Sequence, residues 1–293
     1  MSDGLARVLL TGAGGFVGGH LVRYLQGRGV EVTALAHAPC AGSRPAVPHH
    51  ACDGTLDSVR RALAAARPQV VVHLASLFVA EHRPEQLDAL VDGNIRFGLH
   101  LLEAMRLEGV SRLVNAGTSW QHFGGATYEP VNLYAATKQA FEDLVDHYVS
   151  ACGFAVVTLK LFDTYGPGDR RGKIVSLLIQ ALRERRTLEL SPGDQRLDLT
   201  HVEDVCSGIE AAALRLLPSA RAGHERFGLG SGHTVSLREL ARQLEDLAGR
   251  PLDVRWGARP YRAREVMQPP RSLAPLPGWG ARVPLRAGLE ALL

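Results

Sequence analysis

No stretch of this sequence is apolar enough to cross a membrane. The run Val8-Leu9-Leu10 falls far short of the ~20 residues a bilayer requires, and no leader-like segment stands out. Lys/Arg-rich runs are missing too. The formal net charge over 293 residues is only +3, too small to point to nucleic acid as a partner. Cysteine is scarce: Cys40, Cys52, Cys152 and Cys206 lie far apart and form no Cys-x-x-Cys pair. A disulfide framework and a metal-binding spacing are therefore not expected, and a reduced, cytoplasmic setting is the simplest reading. The twelve histidines are scattered, and His49-His50 in its Pro-rich surroundings reads as a solvated loop. There is no internal repeat and no low-complexity tract.

What is present is an ordinary globular composition, with 46% hydrophobic and 22% charged residues. The length allows one large domain or two interleaved ones. Arg7–Thr11 reads as a short buried strand, followed by an amphipathic helix from about Phe16 to Gln26 that Gly27 and Gly29 end. Further strands are expected at Val30–Leu35, Val70–Leu74, Arg112–Asn115 and Ala155–Leu161, with helical stretches between them. Strands alternating with helices predict an α/β fold, a Rossmann-like doubly wound parallel sheet. Beyond Gly166-Pro167-Gly168-Asp169 the texture becomes richer in Arg and Pro, which predicts a smaller, less regular C-terminal domain over the strand ends.

Gly12, Gly15 and Gly18 stand between the first strand and the first helix. Such glycines permit a tight turn and let backbone N–H groups meet a pyrophosphate at a helix N-terminus. The alternative is a packing turn without ligand, but the strand–turn–helix context favours a dinucleotide. The second strand ends Ala34-Leu35-Ala36-His37-Ala38, with no carboxylate for a ribose 2′-hydroxyl. With His37 and Arg44 nearby, NADP(H) is favoured and NAD(H) remains possible; Arg44 could equally be a solvated loop charge. Far along the chain, Tyr134 and Lys138 share one helix face at i and i+4. A phenol is a poor acid or base near neutrality, and an ammonium beside it is expected to lower its pKa. The pair is a candidate proton donor and acceptor for a carbonyl or alcohol.

At this point the chain resembles the extended short-chain dehydrogenase/reductase family, in the group that acts on nucleotide sugars. The residues that carry the resemblance are Thr11-Gly12-Ala13-Gly14-Gly15-Phe16-Val17-Gly18, Asp53, His73-Leu74-Ala75, Asn94, Thr118-Ser119, Tyr134 with Lys138, Tyr165-Gly166-Pro167 and His201-Val202-Glu203-Asp204-Val205. The resemblance implies a catalytic Tyr134, with Lys138 as its partner and as a donor to the nicotinamide ribose. It implies that Ser119, or less readily Thr118, hydrogen-bonds the substrate oxygen. It places Phe16, Val17, Asp53, Leu74, Ala75 and Asn94 around the cofactor, although Asp53 also suits an ordinary turn before a helix. The implied division is a dinucleotide-binding domain of residues 1–165 and about 198–230, and a substrate-binding cap of about 166–197 and 231–293.

The members of this family run different reactions. Dehydratases that this chain resembles carry an Asp-Glu pair after the hydroxyl residue. Here Trp120-Gln121 stands there, and neither side chain is an acid or base at neutral pH. Dehydration is thus disfavoured; Trp120 is expected either to stack on the sugar or to pack in the core. Many epimerases carry Asn where this chain has Asp163. The pattern is most similar to reductases of CDP- or dTDP-linked 6-deoxy-4-keto sugars, with an epimerase holding NAD as the alternative. Arg262 matches the family's phosphate-binding arginine, although its Arg-rich segment also suits a solvated surface. Arg196 is expected to compensate for Leu197, where many relatives have Arg. The helices near Asn94–Glu108 and Thr137–Ser150 resemble a dimer-forming pair, so a homodimer is expected.

Overall fold

The structure is a computed structural model that describes residues 4–36, 47–217 and 221–293. The first half runs β1 (Arg7–Thr11), α1 (Phe16–Gln26), β2 (Glu31–Ala36), β3 (His49–Ala51), α2 (Leu56–Ala66), β4 (Val70–His73), α3 (Leu87–Val91), α4 (Phe97–Leu107), β5 (Arg112–Thr118) and α5 (Leu133–Cys152). Between α3 and α4 the helix passes through a π-helical segment, Asp92–Arg96. The second half runs β6 (Ala155–Leu161), β7 (Asp163–Tyr165), α6 (Ile174–Glu184), β8 (Leu188–Leu190), β9 (Arg196–His201) and α7 (Val202–Arg215). It ends with β10 (Gly223–Leu229), β11 (Thr234–Ser236), α8 (Leu237–Ala248), β12 (Val254–Trp256) and α9 (Leu285–Glu290).

Seven strands form one sheet in the order β10-β6-β5-β4-β1-β2-β3, every pair parallel. A parallel sheet is covered on both faces, so its strands need continuous apolar runs instead of alternation. Val70-Val71-Val72 is such a run, and all of β4 is buried. Successive side chains go to opposite layers. Val8 and Leu10 pack with Leu21 and Leu25 of α1 and Ile209 of α7, whereas Leu9 packs with Leu63 of α2, Leu101 of α4 and Phe141 of α5. This is the Rossmann-like doubly wound arrangement that the alternation predicts. Two smaller sheets, β11-β9-β7 and β12-β8, accompany a third core in which Leu178 and Leu182 of α6 meet Leu240 and Leu244 of α8.

Several details differ from expectation, among them the end of β4, at His73 and not Leu74. β2 starts and ends one residue later, at Glu31 and Ala36. β5 continues past Asn115 to Thr118, because Ala116, Gly117 and Thr118 stay paired with β6. His49-His50 is solvated as expected, His49 exposed and His50 partly so, but in a short edge strand and not a loop: it pairs with Ala34 and Leu35 of β2. Backbone pairing to an open edge needs no apolar pattern, so composition could not reveal it. Among the described residues, no helix is long and apolar enough to cross a membrane.

Candidate active site

The sheet order reverses between β1 and β4, the switch point outside which open α/β sheets bind ligands. The glycine turn lies there. Gly12 has φ +75°, and a Cβ on it would come within 2.7 Å of the Ala75 nitrogen in the loop after β4. A Cβ on Gly18 would strike the Gly12 carbonyl oxygen. Gly15 donates its N–H to that oxygen at 3.0 Å and caps α1. No side chain caps this helix, and its first turn holds no acidic residue, so its N-terminus suits an anion.

Two cavities meet at the turn, sharing Gly12, Gly15 and Ser76. One of about 720 Å³ reaches past Leu35 and Ala36 to Asp53, Ala75 and His100. The other, about 230 Å³, contains Phe16, Val17, Gly18, Leu74, Tyr134 and Lys138 on its walls. Two compartments joined at a glycine-lined helix N-terminus fit the two halves of a dinucleotide with its pyrophosphate between them. Asp53 fulfils the turn reading while also lining the first cavity. Its Oδ1 accepts hydrogen bonds from the Thr55 hydroxyl (2.6 Å) and N–H (2.9 Å). Those bonds, led by the Thr55 hydroxyl, hold its carboxyl well below the usual range.

α5 presents the tyrosine–lysine pair. Asn132 starts the helix: its Oδ1 accepts from the Ala135 N–H at 2.9 Å, and its Nδ2 donates to the Ala80 carbonyl at 2.8 Å. Gly153, at φ +73°, ends the helix. Tyr134 is therefore in the first turn, half-buried, with the Phe78 ring edge-on at 5.0 Å. Burial pushes Tyr134 up to about 12; the Ser76 hydroxyl and the Arg171 charge pull the other way. This corrects the expectation of a lysine-lowered phenol, because desolvation outweighs the neighbouring groups and Lys138 is not among those that lower it. Lys138 is itself pushed down to about 8 by burial, with the Glu142 carboxylate raising it and the Lys160 charge lowering it.

The hydroxyl residues follow β5. Thr118 and Ser119 are both buried and line the smaller cavity beside Trp120. The Thr118 hydroxyl accepts from the Trp120 N–H at 3.3 Å, which turns the chain sharply off the strand. Gln121 faces away from the cavity. Its Oε1 accepts from the Thr118 N–H at 3.0 Å, and its Nε2 donates to Glu142 Oε1 at 2.9 Å and Gln139 Oε1 at 2.8 Å. The position that a second acid would need is thus used to fasten the turn to α5. Trp120 is at the cavity wall, its ring 5.7 Å from that of Phe78, so the core-packing alternative does not hold. Asp163 lines the same cavity, 3.6 Å from Lys173 Nζ.

Among the lining residues that the sequence reading missed are Ser76, Phe78, Arg171 and Lys173. Lys173 Nζ stands 4.2 Å from the Phe78 ring centroid and 5.1 Å from that of Trp120. Arg171 covers the Phe16 ring at 4.3 Å and donates to the Thr164 carbonyl at 2.7 Å. A signal for Lys173 was available. Lys138, Lys160 and Lys173 are the chain's only three lysines.

Several expected residues stand elsewhere. Asn94 is buried and lines neither cavity; its amide bonds Ser76, Leu77 and Thr137, so it supports the cavity wall from behind. Arg196 also stays out of both cavities, because its guanidinium bonds the Thr234 hydroxyl and carbonyl and faces Glu239 at 3.5 Å. Arg262 is half-exposed and pairs with Glu81 at 3.2 Å. His37 and Arg44 lie outside the described residues.

A glycine turn at the switch point of a parallel sheet, facing a Tyr-x-x-x-Lys helix and a hydroxyl turn, defines an NAD(P)-dependent oxidoreductase of the short-chain dehydrogenase/reductase type. The chain belongs to the NAD dependent epimerase/dehydratase family, whose model matches residues 8–222. It is 28% identical to CDP-abequose synthase from Yersinia pseudotuberculosis, over 90% of this chain and 91% of that one. It is 29% identical to GDP-6-deoxy-D-mannose reductase from Pseudomonas aeruginosa, over 98% and 96%; a UDP-glucose 4-epimerase is also among its relatives. The solved structure of MoeE5 with UDP-glucose and NAD superposes with a TM-score of 0.80 at 30% identity, over 97% of this chain and 96% of that one.

Proposed function

We propose that this enzyme modifies a nucleotide sugar, and that its reaction is the NADPH-dependent reduction of the keto group at C4 of an NDP-6-deoxy-hexose. Gly12, Gly15, Gly18 and Lys138 would hold a reduced nicotinamide cofactor, which would supply the hydride for the keto carbon. Tyr134 gives its proton to the oxygen as negative charge builds there, and Ser119, with Thr118 behind it, donates a hydrogen bond to the same atom. Lys138 holds its ammonium beside the phenol and donates to the ribose. The products are the NDP-6-deoxyhexose alcohol and NADP.

One observation carries the reading: the reacting cavity contains a single proton donor of the right kind and no unpaired carboxylate. Asp163 is matched by Lys173, and Gln121 is turned toward Glu142. Removing a carbon-bound proton, as dehydration requires, would fall to Asp163, whose carboxylate is held by Lys173. Burial keeps Tyr134 protonated, the form from which it would give a proton to the reduced carbonyl. The relatives named for CDP-abequose and GDP-6-deoxy-D-mannose support a nucleotide-sugar substrate. Lys173 and Arg171 are suited to its anionic part and Trp120 and Phe78 to its ring face. We assign the substrate half to the two small sheets with α6, α8 and α9, and Arg262 would reach a diphosphate from there. The NADP preference rests on the close of β2 at Leu35-Ala36, where no carboxylate would repel a 2′-phosphate.

The test is incubation with a panel of NDP-4-keto-6-deoxy sugars, following NADPH and NADH oxidation and product stereochemistry. Consumption of NADPH in proportion to sugar alcohol is expected. The second reading, an NDP-sugar epimerase with tightly bound NAD, is favoured by MoeE5 and its NAD. It would be upheld by interconversion of NDP-sugars without net cofactor turnover.

A further inference from the structure

Tyr134, Lys138, Glu142 and Asp146 follow one another at intervals of four along α5, one stripe from the reacting cavity to the surface. Glu142 is fully buried. Its Oε1 accepts from Lys160 Nζ of β6 at 2.6 Å and from Gln121 Nε2 at 2.9 Å, and its Oε2 faces Arg226 Nε of β10 at 3.4 Å. Lys160, also buried at 1% exposure, has no role in the proposed reaction. Arg226 continues outward to both oxygens of Asp146, which also meets His224 Nδ1 at 2.7 Å. Through Gln121, the same Glu142 reaches the N–H of Thr118 and so the turn that bears Ser119.

We propose that Glu142 is a positioning residue for the reaction: paired with Lys160 one helical turn below Lys138, it sets the charge behind that lysine and, through Gln121, holds the Ser119 turn against the helix that carries Tyr134. A lone carboxylate in the interior would be costly; here two cations and an amide fix it. The charged or titratable groups acting with Lys138 are Glu142 on its own helix, Lys160 from β6 and His73 from β4, and Tyr134 shares its cavity wall. Those facing Glu142 are Lys138 on its own helix, Lys160 from β6, Arg226 and His224 from β10 and, from the turn after β5, His122. Glu142 raises the Lys138 pKa and Lys160 lowers it, so removing one or the other has opposite consequences. The proposal rests on the assignment of Tyr134 and Lys138 as the proton-handling pair.

With three lysines, a sample labelled with ¹³C at lysine Cε gives three signals, and Lys138→Met assigns one of them. In Glu142→Gln the Lys138 titration midpoint should fall by roughly one pH unit, in Lys160→Met it should rise by about as much, and the double variant should return close to the parent. Should Glu142→Gln fail to fold, with the buried Lys160 left facing no carboxylate, the Lys160→Met and double variants decide the matter. The basic limb of turnover against pH, with NADPH and a dTDP-4-keto-6-deoxy sugar, should follow the same three midpoints. Identical midpoints, single variants moving in one direction, or a basic limb that ignores the midpoints would overturn the role. Opposite midpoint shifts in an enzyme that reduces no sugar of the panel would uphold the control of Lys138 while defeating the proposed reaction.

Discussion

Of the 33 lysines and arginines in this chain, only three are lysine, and each is at the candidate site or one layer behind it. A guanidinium is planar and keeps its proton; an ammonium is compact, fits a narrow buried slot and can titrate. That difference explains why Lys138 matters as lysine. Burial pushes it to about 8, so turnover should decline above roughly that pH as the ammonium is lost, measurable as the basic limb of the rate profile. Tyr134→Phe should lower turnover by about 10²–10⁴-fold with cofactor affinity nearly intact, as checked by cofactor titration alongside steady-state rates. His73 is the residue-scale probe of stability. Burial, with the Lys138 charge adding, holds it down to about 3 against 6.5 in an unperturbed chain. Between those values the unfolded chain binds a proton that the native state does not, so stability is lost as pH falls below 6.5, and the loss levels off near 3. Burial lowers His122, His201 and His224 as well. His73→Asn should therefore remove part of the acid sensitivity, seen in urea unfolding between pH 4 and 7.

At the scale of elements, the start of α5 does two jobs. Asn132 caps the helix and, through its amide, ties down the loop at Val79 and Ala80 that brings Phe78 over Tyr134. Asn132→Ala should cost about 1 kcal/mol in chemical denaturation, with turnover falling further than a surface cap would explain because Tyr134 is in the loosened first turn. The glycine turn is equally local. Gly12→Ala meets both a left-handed backbone and the Ala75 nitrogen. A loss of about 1–3 kcal/mol is expected, together with weakened dinucleotide binding by calorimetry. β5 illustrates what local pattern misses. Ala116-Gly117-Thr118 has weak strand character, yet pairing with β6 extends the strand and delivers Thr118 and Ser119 to the cavity.

For the whole molecule, chain order dictates where the chemistry can stand. The strand order turns back between β1 and β4, opening the crevice, and α5, reaching the sheet from a distant part of the sequence, supplies its far wall. The outer face that includes α3 and α4 leaves Leu87, Val91, Leu99 and Leu107 exposed. A homodimer through α4 and α5 is the expected assembly, so light scattering should give twice 31.6 kDa, and Leu99→Arg should shift the population toward monomer.

The sequence by itself determined the parallel sheet, the glycine turn and the Tyr134–Lys138 helix. Each is a short-range signal: an aliphatic run buried on both faces, a turn that only glycine tolerates, a spacing of four on one helix. Only the tertiary structure decided how those pieces are surrounded. It placed Ser76, Phe78, Arg171 and Lys173 in the cavity, directed Arg196 to Thr234, and set Asn94 behind the wall. It also reversed the expected direction of the Tyr134 shift and joined Gln121 to Glu142 and Lys160. Desolvation and hydrogen-bond partnership depend on what other segments bring close, and a spacing along one segment carries no information about them.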